Sequence, residues 1–199
     1  MNVQALIARI GEELVDPGHV LWSRPSLMAY LNQALSVVVQ LQPEAGRQER
    51  AVVVTDGRVA APANAVVLLS VDRAADRAVN YIDITMLSRR VPEWQNHTGA
   101  PSAWTQARGQ VLSYTLYPRP AAAVTVQDAW AVRPEVVAET DTLPVNAVYV
   151  PALMEYVLYR AYGKDGQDEA NLDKARAHWQ AFNALMGGRA ERGGTRHVD

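Results

Sequence analysis

Hydrophobic positions fall into three regimes along this chain. In the first, Val3, Leu6, Ile7, Ile10 and Leu14 recur at three- and four-residue spacing, which lines one face of a helix. Asp16-Pro17-Gly18 ends it, because proline has no N–H to continue the ladder and glycine favours an irregular backbone. A second helix is predicted from "SRPS", with Ser23 or Arg24 at the cap and Pro25 in the first turn, where its missing N–H leaves no hydrogen bond unmade. Leu27, Leu31, Ala34, Leu35 and Val38 line its buried face as far as Pro43. Trp22, between the two helices, is expected to cover their joint.

From about residue 46 the period shortens. "VVVTDGRVAAP" reads as a hairpin, because a tight turn needs the positive φ that Asp56 and Gly57 tolerate. "AVVLLSVDRA" reads as a buried strand, and "DITMLSRRV" as a short helix capped by Asp83 that stops before Pro92. Leu112, Tyr114 and Leu116 alternate with polar residues, as do Val124, Val126 and Trp130 less regularly. "YPRP" at 117–120 is a turn between these strands. The third regime is helical again. "YVPALMEYVLYRAY" tolerates Pro151 only in a first turn, so a helix begins near Tyr149. "DEANLDKARAHWQAFNALMG" carries Leu172, Ala175, Trp179, Phe182 and Met186 on one stripe, with Asp168 and Glu169 favourably placed at its N-terminus. The short "GKDGQ" break makes the two an antiparallel hairpin.

These regimes predict an α+β fold in a single domain over 1–199. It consists of a helical bundle from N-terminal (1–45) and C-terminal (143–187) helix pairs, a central, mostly antiparallel β insertion over 46–142, and an extended C-terminal tail over 188–199.

Composition narrows the function classes. The chain has 199 residues, about half of them apolar (49%), and a formal net charge of −2. That balance argues against a dedicated nucleic-acid binder, which shows a basic excess. No cysteine is present, so disulfides, thiolate zinc sites and cysteine nucleophiles are out of reach. The first residues lack a signal-peptide pattern, and no apolar run approaches the ~20 residues of a membrane span. The expectation is a soluble, non-secreted chain.

Candidate chemistry is sparse. "VPEWQNHTGAPSAW", residues 91–104, gathers Trp94, His97 and Trp104. His97 would need a nucleophile or acid partner, and only Ser102 and Glu93 are near in sequence; no Gly-x-Ser-x-Gly elbow exists. A structural or surface role is the better reading. The four histidines (19, 97, 178 and 197) never take zinc-ligand spacing, and "KDGQDEANLD" lacks the glycine and spaced ligands of a calcium loop. The glycines of "GGRAERGG" follow a helix, not a strand, so no phosphate cradle is present. Neither metal nor cofactor is expected. Indole rings suit mostly dry interfaces, and a sugar-binding role for them is the alternative.

Residues 149–187, with "LP" before the helix at 143–144, "YVLYRAY" within it, "KD" at the turn and "HW.AF..L" after it, resemble the C-terminal helical hairpin of head-to-tail adaptor (connector) proteins of tailed bacteriophages. "LW....L..YLN.A" at 21–34 and "VPEWQNHTGAP" followed by "YPRP" are similar to that family in outline. The resemblance implies a structural virion protein of the neck, made in the host cytoplasm and not an enzyme. It implies a homo-oligomeric ring, commonly of twelve copies, that joins the portal to a tail or nozzle protein, makes no membrane contact and lets double-stranded DNA cross its lumen. It further implies a portal contact through the C-terminal extension, where Arg189, Arg192 and Arg196 stand. By elimination and by this analogy, Trp94, His97 and Trp104 are expected at a subunit or tail interface. Two other readings stay open: a carbohydrate- or receptor-binding module of the tail, and a hydrolase using His97 with Ser102 or Glu93.

Overall fold

The computed structural model describes residues 2–164 and 168–193, the last six of them by backbone. The chain opens with α1 (Val3–Glu13) and α2 (Arg24–Leu41). Strands β1 (Arg47–Val54), β2 (Arg58–Ala60), β3 (Ala65–Ala74), β4 (Arg77–Ala78) and β5 (Asn80–Tyr81) follow, then the short α3 (Ile84–Arg90). Next come β6 (Thr98–Gly99), β7 (Ala103–Thr105), β8 (Ser113–Tyr117), β9 (Arg119–Pro120) and β10 (Val124–Val132). The chain then returns to helix in α4 (Val150–Gly163) and α5 (Glu169–Gly193). Two compact units result, Met1–Ala45 with Pro134–Asp199, and Gly46–Arg133.

The helical unit forms where the apolar stripes lie. Val3, Leu6, Ile7 and Ile10 of α1 are fully buried, as are Leu27, Leu31, Ala34, Leu35 and Val38 of α2. They share a core with Leu153, Val157 and Ala161 of α4 and Phe182 of α5. Each large aliphatic side chain so buried contributes roughly 1.5–3 kcal/mol. The helix starts are capped as their residues dictate. Asn2 Oδ1 accepts from Ala5 N at 2.9 Å, and the Ser23 hydroxyl accepts from Ser26 N with Pro25 in the first turn. Ring contacts between α4 and α5 run in opposite chain directions: Tyr156 with Phe182, Tyr159 with Trp179, and Tyr162 with His178. His178 stacks on Tyr162, its Nδ1 2.7 Å from Glu155. Trp22 packs against this core beside the α1–α2 joint. Its indole N–H donates to the Ala161 carbonyl at 3.0 Å, which ties that joint to the end of α4.

The β unit holds two four-stranded sheets, in the orders β1-β10-β3-β4 and β2-β8-β7-β5, and a two-stranded parallel pair, β6-β9. Its separate core joins Val54, Val59, Val71, Tyr114, Leu116, Val126 and Trp130. This corrects the expected architecture. Among the described residues the structure is α+β with five helices and ten strands in three sheets, and its β-rich body is large. It is not a helical bundle with a central insertion. The reason is that the middle segment buries enough apolar surface between two sheets to form a core of its own.

Three local expectations change with it. Asp56-Gly57 does turn the chain, with Gly57 at φ 82°, yet β1 pairs with β10 and β2 with β8. The turn moves the chain from one sheet to the other and makes no hairpin. Leu112 is half exposed, although Tyr114 and Leu116 are buried. Finally, α5 continues through Gly193, so the tail is not extended from 188. Arg189, Ala190, Glu191 and Arg192 are good helix formers, and their preference offsets the roughly 1 kcal/mol that each glycine costs. Residues 194–199 lie outside the described residues.

Candidate functional site

The tryptophan segment is built by α3 and the strands that follow it. Asp83 caps α3, its Oδ1 accepting from Thr85 N at 2.8 Å and Met86 N at 3.2 Å. These bonds hold the Asp83 carboxyl below the usual carboxylate range. After α3, Glu93 takes φ 60° and swings Trp94 back toward the helix. Trp94 is only 6% exposed; its indole N–H donates to the Ser88 hydroxyl at 3.2 Å, and its ring meets Tyr117 edge-on at 6.2 Å. His97 is exposed, with its ring 6.3 Å from the same Tyr117 and its carbonyl accepting from Arg119 N at 2.9 Å.

Trp104 lies elsewhere. It sits opposite Leu116 in the β7–β8 ladder and is half-buried against the β-unit core, its ring 4.8 Å from Tyr81 and 5.8 Å from Tyr114. Tyr114 and Tyr117 are three apart on one strand, so their side chains leave opposite faces. The structure therefore gathers Trp94 and His97 around Tyr117 and leaves Trp104 on the other side of the sheet. Ser102 and Glu93 are exposed, and among the described residues no side-chain hydrogen bond joins either to His97. Trp94 offers no open ring face for a sugar. Arg189 and Arg192 lie on the last turns of α5, and Arg196 lies outside the described residues. Among the described residues no group of three or more His, Asp or Glu side chains could hold a metal, and no helix is long and apolar enough to cross a membrane.

Two clusters escaped the sequence reading. Asp128, with a side chain 0% exposed, accepts from Arg50 Nε at 2.7 Å, Arg50 Nη2 at 3.0 Å and the Tyr114 hydroxyl at 2.9 Å. Arg50 also donates to the Ala60 carbonyl, so the cluster ties β1 and β10 of one sheet to β8 and β2 of the other. Burial, then the Asp128 charge, push the Tyr114 phenol well above its usual range, so it stays a donor. Lone polar residues on separate strands carry no spacing signal that could have announced this.

The second cluster is Asp16, read from sequence only as part of a helix stop. Its carboxylate accepts from the N–H groups of Val20, Leu21 and Trp22 at 2.8, 2.9 and 3.0 Å. These bonds, that from Trp22 foremost, lower its pKa. An aspartate followed by Pro-Gly and several free N–H groups is the signal that could have found it.

No curated protein matches the chain. A family model described as SU10 adaptor protein matches residues 1–198. That match bears out the resemblance to bacteriophage head-to-tail adaptors, and the chain belongs to the SU10 adaptor protein family.

Proposed function

We infer from membership of this family that the chain acts as a bacteriophage structural adaptor. We propose, more specifically, that it assembles as a ring in the virion neck, twelve copies around the portal axis, joining the portal above to a tail component below while DNA crosses its lumen. The observation that carries this reading is a family match spanning the chain from residue 1 to 198. The helical unit supports it, because Val15, Val20, Leu21, Val137 and Val148 are all at least half exposed on it. A closed ring needs two complementary, non-identical surfaces on each copy, and exposed aliphatics are what such contacts cover. The net charge of −2 fits a lumen that DNA slides through, since a strongly basic wall would hold phosphates by counterion release.

We assign the portal contact to the C-terminal stretch with Arg189, Arg192 and Arg196, where arginine can pair bidentately with carboxylates on the portal. The test is binding of the purified chain to its portal ring, with and without residues 188–199. The full chain is expected to co-sediment with the portal, and the shortened chain to lose at least about tenfold in affinity, or ~1.4 kcal/mol. Equal binding by both would move the contact off the C-terminus. No binding by either would contradict the adaptor assignment at the portal.

A further inference from the structure

The β unit leaves two strand edges open. Strand β1 pairs with β10 on one side alone. In an antiparallel pair, alternate residues turn their N–H and C=O groups away from the partner strand. Among the described residues no hydrogen bond meets the outward backbone groups of residues 48–54. Strand β3 is left open on its far side. It pairs with β10 along its length, whereas β4 meets it only at Arg73 and Ala74. The Val79 N–H reaches the Asp72 carbonyl at 3.4 Å, but the outward groups of residues 66–71 have no hydrogen-bond partner among the described residues. The two edges lie on opposite sides of β10. They are different surfaces that face away from each other.

A chain that works alone blunts such edges with proline, charge, brevity or a bulge. Here neither strand contains proline, and residues 51–54 and 65–71 carry no charge. Strand β1 keeps an unbroken register of eight residues against β10. The register shifts of β3 bend it against β10 without covering its far edge. Both edges are aliphatic. Val53 is 67% exposed, and Val66, Val67, Leu68 and Leu69 are all half-buried. Two such rows suit each other: each offers donors and acceptors in alternation, and the side chains between them have no charge to desolvate.

We infer that β1 of one copy pairs with the open edge of β3 in a second copy of this chain, so that the order β1-β10-β3 continues from subunit to subunit. Both strands run antiparallel to β10 and hence parallel to each other. Copies related by the small rotation of a many-membered ring keep that direction, so the joint is a parallel pair, head-to-tail, and repeats until the ring closes. Two-fold pairing of β1 with itself is the poorer contact. It would set Arg47 opposite Val54 and Glu49 opposite Val52, charged against aliphatic. The choice of a second copy rests on the ring reading above.

The absence of cysteine makes the test direct. Val52, Val54 and Leu68 pack on the β core, so Val53 and Val67 point to the other face of the sheet. A Val53→Cys protein is mixed with a Val67→Cys protein, alone and on the portal ring, and joined with a short bis-maleimide while the assembled mass is recorded. Ser70→Cys, nearly isosteric and on the same strand, takes the place of Val67→Cys if that variant melts early. The mixed product is expected to exceed either self-pair by about tenfold, the ratio that a ~1.4 kcal/mol preference gives. Assembly without the mixed product overturns this contact and leaves the ring reading standing. A dominant self-pair of either variant also overturns it, since that contact would be two-fold symmetric. So does a product that joins the chain only to the portal, because the open edge would then hold a foreign strand. A chain that stays monomeric in both settings and forms no product overturns the contact and the ring together.

Discussion

Asp128 is the residue on which the β unit leans most. It is a carboxylate with no exposed side-chain surface, satisfied by one arginine and one phenol drawn from two different sheets. Removing one partner of a buried pair leaves the other charge uncompensated, so Asp128→Ala should lower stability by about 3–5 kcal/mol in chemical denaturation. Trp94 has an equally local role. Buried against Ser88 and Tyr117, it should cost about 3–5 kcal/mol as Trp94→Ala. His97→Ala, at an exposed position, should stay within about 0.5 kcal/mol. Asp16 adds a pH dependence whose sign is determined. Its folded pKa lies below the ordinary aspartate value, so its contribution is fully present above the unfolded pKa and is lost as pH falls through the folded one. Glu139, held low chiefly by its bond with Arg24 (Nε to Oε1, 2.8 Å), acts in the same direction. Stability of the helical unit should therefore drop below about pH 4, and Asp16→Asn should flatten that part of the profile.

At the scale of elements, the parts that could be read from the sequence are those whose determinants are local. Helices α1, α2 and α3 start where Asn2, Ser23 and Asp83 offer an oxygen to free N–H groups, and each stops near a proline or its neighbour. An Asp83→Ala change should cost about 1 kcal/mol, measured as loss of stability with α3 frayed. Strand pairing is not local, and there the reading fell short. Nothing in "VVVTDGRVAAP" says that Val54 and Val59 enter different sheets, because the turn residues are those of a hairpin. Strand β10 departs from alternation because its register against β3 shifts at three places, which buries Asp128, Ala129, Trp130 and Ala131 in succession. The candidate residues are split between two places for a related reason. Trp94, His97 and Trp104 are close in sequence, yet the pleat of β8 separates their partners, Tyr117 and Tyr114, onto opposite faces. The hairpin of α4 and α5 was legible because its stripe runs over many turns.

For the whole molecule, two cores in one chain carry a consequence of their own. Arg47 pairs with Ala131 at the start of β1 and near the end of β10, so the chain enters and leaves the β unit at neighbouring points. Residues 46–133 produced alone should keep a cooperative thermal transition, since both ends of the fragment are held by that pairing. A fragment without cooperative melting would mean that its nine-residue core depends on the helical unit. This division suits an adaptor, since each unit keeps its own packing and leaves its outer surface free of that task. The most direct measurement of that role is the native mass of the complex formed when the full chain is added in excess to its purified portal ring. The account predicts a discrete assembly carrying one copy of this chain per portal subunit. A portal that emerges at its own mass, with the chain still monomeric beside it, would contradict it.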